Sequence, residues 1–279
     1  MKRILTIQDV SCVGQCSITV ALPIISAFGI ETCVLPSAVL STHTGGFSGF
    51  TYHDLSEDFP SIIAHWKKEG ITFDGFYTGY IADGKQIDFI LRIFDELGTE
   101  NAKIIVDPAM ADFGKLYKGF DGDFVGQMAR LVAKADYALP NITEGALLTG
   151  SEYVEKNHTK EYIEKICRGI ARIGAKNVVL KGVNFKNGEI GVATFDGDGI
   201  NFHMHERVQK SLHGTGDVYA SCFAGALFSG CGADEAASAA AEFTLSAIKK
   251  TVSDESHWYG VKFEKIIPEI VEFAAKIKN

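Results

Sequence analysis

Apolar residues in this chain fall into two kinds of run. The first kind is short and nearly unbroken: KRILTIQ, ETCVLP, FDGFYTGYI, AKIIVDP, ADYALPN and NVVLKG show little polar alternation. Strands with apolar residues at successive positions are covered on both faces, as in a parallel sheet buried under helices. Between these runs apolar positions recur at helical spacing, predicting helices at about 16–28, 55–69, 84–97, 122–134, 142–149 and 159–173. Strand and helix in alternation give the rhythm of a layered α/β fold with a largely parallel sheet. After residue 181 the pattern changes. GEIGVATFDGDGINFHMHERV predicts a hairpin turning at Gly-Asp-Gly, and three helices are expected after it, at about 216–229, 233–251 and 262–276. No Gly/Ser/Pro linker and no internal repeat divides the sequence, so residues 1–279 are expected to form a single domain.

Composition narrows the partners. With 279 residues, 46% of them apolar and 22% charged, the chain can bury a substantial core. A net charge of −8 and the lack of a dense Lys/Arg stripe argue against nucleic acid and for a small-molecule partner. The apolar run in MKRILTIQDV ends at Gln8 and Asp9, too short for a signal peptide, and no stretch approaches the roughly 18 apolar residues that span a bilayer. The expectation is a soluble, cytoplasmic protein with no membrane contact. Six cysteines without a CxxC pair then read as free thiols, and the sequons at Asn141 and Asn157 carry no glycosylation meaning.

The richest chemistry lies in SLHGTGDVYASCFAGALFSG, residues 211–230. Gly214 and Gly216 flank Thr215 at the predicted start of a helix, where unpaired N–H groups and the helix dipole favour an anion. Asp217 follows at the edge of that anion site. There it would accept a proton from an attacking hydroxyl while the amides hold a transferring phosphoryl group. The same residues also read as a helix start with an N-terminal acid, worth about 1 kcal/mol. VDPAMAD puts Asp107 at the end of an apolar strand and Asp112 five residues on. Carboxylates at a strand end suit Mg²⁺, although Asp before Pro is also a turn former. Asn141 and Glu144 in PNITEGALL have the spacing of a capping box, and Lys181 ends another apolar strand before a glycine. His203-x-His205 would put two imidazoles on one strand face without an evident third ligand. Neither a P-loop nor a Rossmann glycine motif is present.

HGTGD before a small-residue helix resembles the anion-hole signature of the ribokinase-like superfamily of ATP-dependent small-molecule kinases. ILTIQDVSCVG, PSAVLSTHTGG, TGYI, VDPAMAD and PNITEGALLTG are similar to its pyridoxal kinase branch and occur in that family's order along nearly the whole chain. The resemblance implies a ribokinase-like three-layer sandwich, with a mostly parallel central sheet and helices on both faces. It also implies ATP-dependent phosphorylation of the hydroxymethyl group of a B6 vitamer. Asp217 would be the base and Gly214, Thr215 and Gly216 the anion hole. Asp107, Asp112, Asn141, Glu144 and Lys181 would face nucleotide phosphates, with Asp107 and Glu144 near Mg²⁺, a monovalent cation as a further cofactor, and a homodimer as the assembly. Asp9, Ser37, His43 and Tyr80 would orient a flat heteroaromatic acceptor, with Val13, Val39 and Phe47 as apolar walls.

Three positions depart from the family pattern. Asp9 stands where pyridoxal kinases typically carry Ser, Ser37 where Thr is usual, and Leu139 where Thr or Ala is common. An acid at position 9 would bind a ring N–H⁺ or a hydroxyl more strongly than Ser does, which leaves the vitamer open. Hydroxymethylpyrimidine kinases of thiamine synthesis share the implied fold and chemistry but commonly have Cys in place of Asp217. A non-catalytic binder of vitamer or nucleotide is the third reading, and it would need no base.

Overall fold

A computed structural model describes residues 1–210 and 212–277. In chain order the first half comprises β1 (Arg3–Ser11), α1 (Ile18–Ala27), β2 (Glu31–Leu40), β3 (Tyr52–Asp54), α2 (Phe59–Lys68), β4 (Phe73–Thr78), α3 (Gly84–Leu97) and β5 (Gly98–Val106). A two-residue pair, β6 (Ala111–Asp112) and β7 (Lys115–Leu116), precedes α4 (Gly122–Val132), β8 (Tyr137–Ala138), α5 (Ile142–Thr149) and α6 (Lys160–Ile173). Then come β9 (Asn177–Val183), β10 (Glu189–Phe195), β11 (Ile200–Glu206), α7 (Thr215–Ser229), α8 (Ala233–Val252) and α9 (Ile267–Ile277).

Nine strands form one sheet in the order β11-β10-β9-β8-β5-β4-β1-β2-β3. Neighbours from β9 through β2 pair in parallel, while β3 and the β10–β11 hairpin close the two edges antiparallel. Successive residues of a strand point to opposite faces, so each buried strand feeds two cores. Ile4, Tyr77, Ile105 and Val179 pack with α1, α7, α8 and α9. Leu5, Phe76, Val106 and Leu180 pack with α2 to α6. The expected three-layer α/β sandwich with a mostly parallel sheet is therefore the fold.

Elements depart from their predicted lengths for local reasons. ADYALPN yields only the two residues of β8, because Pro140 has no N–H to donate and Asn141 already caps α5. The helices expected at 55–69 and 262–276 each begin as a 3₁₀ turn, Ser56–Asp58 and Phe263–Ile266. The α-helix proper starts beside Pro60 and Pro268, where a first turn tolerates proline. β3, β6 and β7 are too short to give a periodic signal.

Two local features position the site. The β1–β2 register slips between the pairs Gln8↔Pro36 and Val10↔Val39, giving β2 one extra residue. Such a bulge bends the strand and re-aims its side chains, and Asp9 and Ser37 lie within it. On the opposite layer, Gly225 of α7 leaves space for Phe28, whose ring lies 2.1 Å from where a Cβ would stand. The small residues of this helix let it settle against α1.

Candidate active site

Because six strands run the same way, their C-terminal ends share one edge of the sheet, where ligands of open α/β sheets collect. The chain delivers Asp9 on β1, Ser37 on β2, Tyr80 just after β4, Asp107 just after β5, Asn141 just after β8 and Lys181 on β9. α7 opens on the same side with the glycine turn.

Gly214 caps α7 at φ 79°, and a Cβ there would lie 1.9 Å from the Gln15 carbonyl oxygen. Only glycine fits both demands. Gly216 is exposed, and the Lys181 ammonium lies 3.9 Å from its Cβ position. Asp217, half-buried in the first turn, is pushed up to about 7 by burial first and then by the charges of Asp107 and Asp9. The Ser17 N–H and Lys181 oppose the rise. A carboxylate with a pKa near 7 is matched to general base work at neutral pH.

At the ends of β5 and β9, Lys181 Nζ lies 2.6 Å from Oδ2 of Asp107, which is 5% exposed. Burial alone would lower the lysine pKa, but Asp107 and Glu144 more than offset it, so Lys181 stays charged. Asn141 and Glu144 form the capping box, with Glu144 N–H donating to Asn141 Oδ1 at 2.9 Å and Asn141 N–H to Glu144 Oε2 at 2.8 Å. Glu144 also accepts from Met110 N–H at 3.2 Å. At 2% exposure its carboxyl is pushed up to about 8, by burial and then by Asp107. Asn141 Nδ2 donates to Ala111 O at 2.8 Å and Gly114 N–H to Thr143 Oγ1 at 3.0 Å, pinning the β6–β7 hairpin to α5. Asp112 lies near the hairpin tip and accepts from Phe113 N–H at 2.8 Å; burial raises its carboxyl, with that N–H and Lys181 opposing.

On β1, Asp9 is 4% exposed and raised by burial, with Ser17 and Ser11 opposing; Ser11 Oγ donates at 2.8 Å. Ser37 Oγ donates to the Tyr80 carbonyl at 3.2 Å, and the Tyr80 phenol is pushed up to about 12 by burial and Asp9. Both nitrogens of the His43 ring are engaged by backbone: Nε2 meets Tyr259 O at 2.7 Å and Nδ1 accepts from Gly45 N–H at 3.0 Å. Its Nδ1 is therefore the unprotonated nitrogen, and the ring packs edge-on against Phe47, 5.0 Å away.

Three contributors escaped the sequence reading. Loop 14–17 packs under the glycine turn, segment 254–262 brings Trp258 within 4.7 Å of Phe47, and Gln86 Nε2 donates to Ser37 O at 2.9 Å. The cluster His257-Trp258-Tyr259 was a legible signal. Loop 14–17 and Gln86 offered none. His203 is tied to Asp234 at 2.8 Å, joining the hairpin to α8. Among the described residues no group of three His, Cys, Asp or Glu is placed to hold a metal by itself.

Comparison with known proteins gives a consistent likeness. The sequence profile described as phosphomethylpyrimidine kinase matches residues 18–261. A pyridoxal kinase from Lactobacillus plantarum superimposes with TM-score 0.91 at 30% identity, over 99% of this chain and 99% of that one. A protein of Bacteroides thetaiotaomicron, provisionally named a phosphomethylpyrimidine kinase, is 32% identical over 96% of this chain. It gives a TM-score of 0.92 in one crystal form, with 93% of that chain covered, and 0.90 in a form with pyridoxal, with 95% covered. The thiamine biosynthesis bifunctional protein of Geobacter sulfurreducens is 27% identical over 88% of this chain, which spans 49% of that longer protein.

Proposed function

The chain belongs to the phosphomethylpyrimidine kinase family, whose reaction is phosphoryl transfer to an alcohol, and we propose that it transfers the γ-phosphoryl group of ATP to the hydroxymethyl group of a B6 vitamer. The observation that carries this reading is Asp217 itself: a carboxylate poised near pH 7, in the first turn of α7, beside the Asp107–Lys181 pair. Aspartate at this position also matches the pyridoxal kinase pattern rather than the cysteine of hydroxymethylpyrimidine kinases. The Bacteroides relative solved with pyridoxal supports the same acceptor class.

In this reaction Asp217 takes the proton of the acceptor hydroxyl as its oxygen attacks the γ-phosphorus. The N–H groups of residues 214–216 and the Lys181 ammonium stabilise the charge of the transferring group, and ADP departs. Asp9 accepts a hydrogen bond from a ring N–H⁺ or hydroxyl, and Tyr80, Phe47 and His43 flank the ring. Asp107 and Glu144 form a hard-oxygen set that suits Mg²⁺ held mainly through ATP phosphates. Both Glu144 oxygens accept backbone N–H groups, so Glu144 would act through a water. The cation would neutralise phosphate charge.

A second reading, phosphorylation of hydroxymethylpyrimidine, is favoured by the family's description and by the thiamine-synthesis relative. Pyridoxal, pyridoxine, pyridoxamine and hydroxymethylpyrimidine competing in one ATP-consumption assay separate the two. The expected result is preference for a B6 vitamer; preference for the pyrimidine reverses the assignment, and binding without ADP formation marks a non-catalytic binder. Asp217→Asn is expected to bind acceptor nearly as wild type while turnover falls at least about a hundredfold. Unchanged turnover removes Asp217 as the base.

A further inference from the structure

Gln86 lies in the first turn of α3 and is fully buried. A buried side-chain amide has to place both its N–H donors and its carbonyl oxygen, and this one meets backbone at each end. Its Oε1 accepts from Ala82 N–H at 2.9 Å, and its Nε2 donates to Ser37 O at 2.9 Å. One partner is an N–H and the other a carbonyl, so the amide has a single orientation. Nε2 also reaches Asp54 Oδ1 at 3.1 Å and Ser56 Oγ at 2.9 Å, which anchors it to the end of β3. The helix start does not require this side chain. Asp83 already caps α3, accepting from Lys85 N–H and Gln86 N–H at 2.8 and 3.2 Å.

The carbonyl that Gln86 takes up belongs to the bulge. Between Gln8↔Pro36 and Val10↔Val39, β2 has one residue more than β1, so part of its backbone leaves the ladder and needs another partner. Ser37 O finds two, Gln86 and the Leu55 N–H at 3.1 Å. Ser37 Oγ in turn donates to Tyr80 O at 3.2 Å, and Ala82 follows two residues on. These bonds close a ring from Gln86 to Ser37 to Tyr80 and back through Ala82, joining the bulge of β2 to the turn after β4. We infer that Gln86 is a positioning residue that sets the spacing between Ser37 and Tyr80 in the acceptor pocket. This inference rests on the acceptor-kinase reading above, in which both residues orient the ring. Misplacing such groups by about 1 Å is enough to cost tenfold or more. None of the four partners of the Gln86 amide belongs to the group around Asp107, Glu144 and Lys181, so its loss reaches the acceptor rather than ATP.

Two variants break the ring in different ways. Gln86→Met keeps the length of the side chain without its hydrogen bonds, and Gln86→Asn keeps the amide but is one methylene too short to span both backbone partners. With the acceptor that wild type phosphorylates, pyridoxal by expectation, each is expected to raise the acceptor KM about tenfold. The KM for ATP should stay within about twofold and kcat within about threefold of wild type. Ser56→Ala is the control, because it removes a bond of Gln86 that lies outside the ring. Its thermal midpoint is expected to fall while its acceptor KM stays within about twofold of wild type. In crystal structures of wild type and Gln86→Asn, Ser37 Oγ should move out of hydrogen-bond reach of Tyr80 O in the variant while the Asp107–Lys181 pair superimposes. If Gln86→Met does not fold, Gln86→Asn gives the same readouts. A wild-type acceptor KM in the Gln86 variants, an ATP KM that rises in step with it, or Ser37 and Tyr80 superimposed on their wild-type positions overturns the inference. Failure of the kinase reading looks different: wild-type protein then phosphorylates neither a B6 vitamer nor hydroxymethylpyrimidine, and the positions of Ser37 and Tyr80 in the two crystals still decide the role of Gln86.

Discussion

Asp217 keeps its proton to higher pH than an exposed aspartate, because burial and the charges of Asp107 and Asp9 oppose ionisation. Activity and stability respond with opposite signs. In the proposed role of Asp217 as base the carboxyl must be deprotonated, so kcat/KM for the acceptor is expected to fall about tenfold per pH unit below about 7 and to level off above, as a pH–rate profile would read. Stability follows the raised folded pKa. The contribution is fully present below the unfolded value of the carboxyl and is lost as pH rises through about 7. Asp217→Asn is therefore expected to be more stable than wild type at pH 8, by on the order of 2 kcal/mol, with the gain shrinking toward pH 5. Melting curves of the ligand-free proteins at the two pH values check it. Lys181 presents the complementary case. Lys181→Met strands Asp107 in a buried site and is expected to cost roughly 3 kcal/mol, most of it recovered in the double variant with Asp107→Asn.

At the scale of elements, α7 is built from residues small enough to bring its N-terminus to the sheet edge. Gly214 and Gly225 do this in different ways, and their alanine variants should differ accordingly. Gly225→Ala drives a methyl into the Phe28 ring and is expected to cost about 1–3 kcal/mol with turnover per folded molecule unchanged. Gly214→Ala meets the Gln15 carbonyl at φ 79°, so it is expected to displace the glycine turn and, with the proposed anion site there, lose turnover as well as stability. Urea titration beside single-turnover kinetics reads the two effects separately. The capping box of α5 likewise does two jobs, since the carboxyl of Glu144 that satisfies the helix start also holds Met110 beside Asp107.

At the scale of the molecule, the two cores share one sheet, and alternate residues of the same strands belong to each. Neither core can lose its strands without exposing the other, so we propose that the chain unfolds as a single domain. With Trp258 replaced by Phe, Trp66 is the one remaining tryptophan, and it packs against Phe73 on one layer. Its fluorescence and far-UV circular dichroism are expected to give the same denaturant midpoint. Two separated transitions would instead divide the chain into independently folding parts.

Much of this architecture was legible in the sequence, because unbroken apolar runs and helical periodicity report local burial directly: the parallel strands, the covering helices and the β10–β11 hairpin were all anticipated. The glycine turn that opens α7 and its first-turn aspartate were legible for a similar reason, since residues 214–217 are contiguous. What the sequence could not carry were relations between distant segments. The bulge that holds Asp9 and Ser37 depends on how β1 registers against β2. The closure of His43 by the Tyr259 carbonyl spans 216 residues. Ser17 looked ordinary because its left-handed backbone, at φ 55°, exists only in the folded chain. Sequence settles patterns that repeat along the chain, whereas side-chain direction and the pKa of Asp217 depend on charges and packing that only the folded chain assembles.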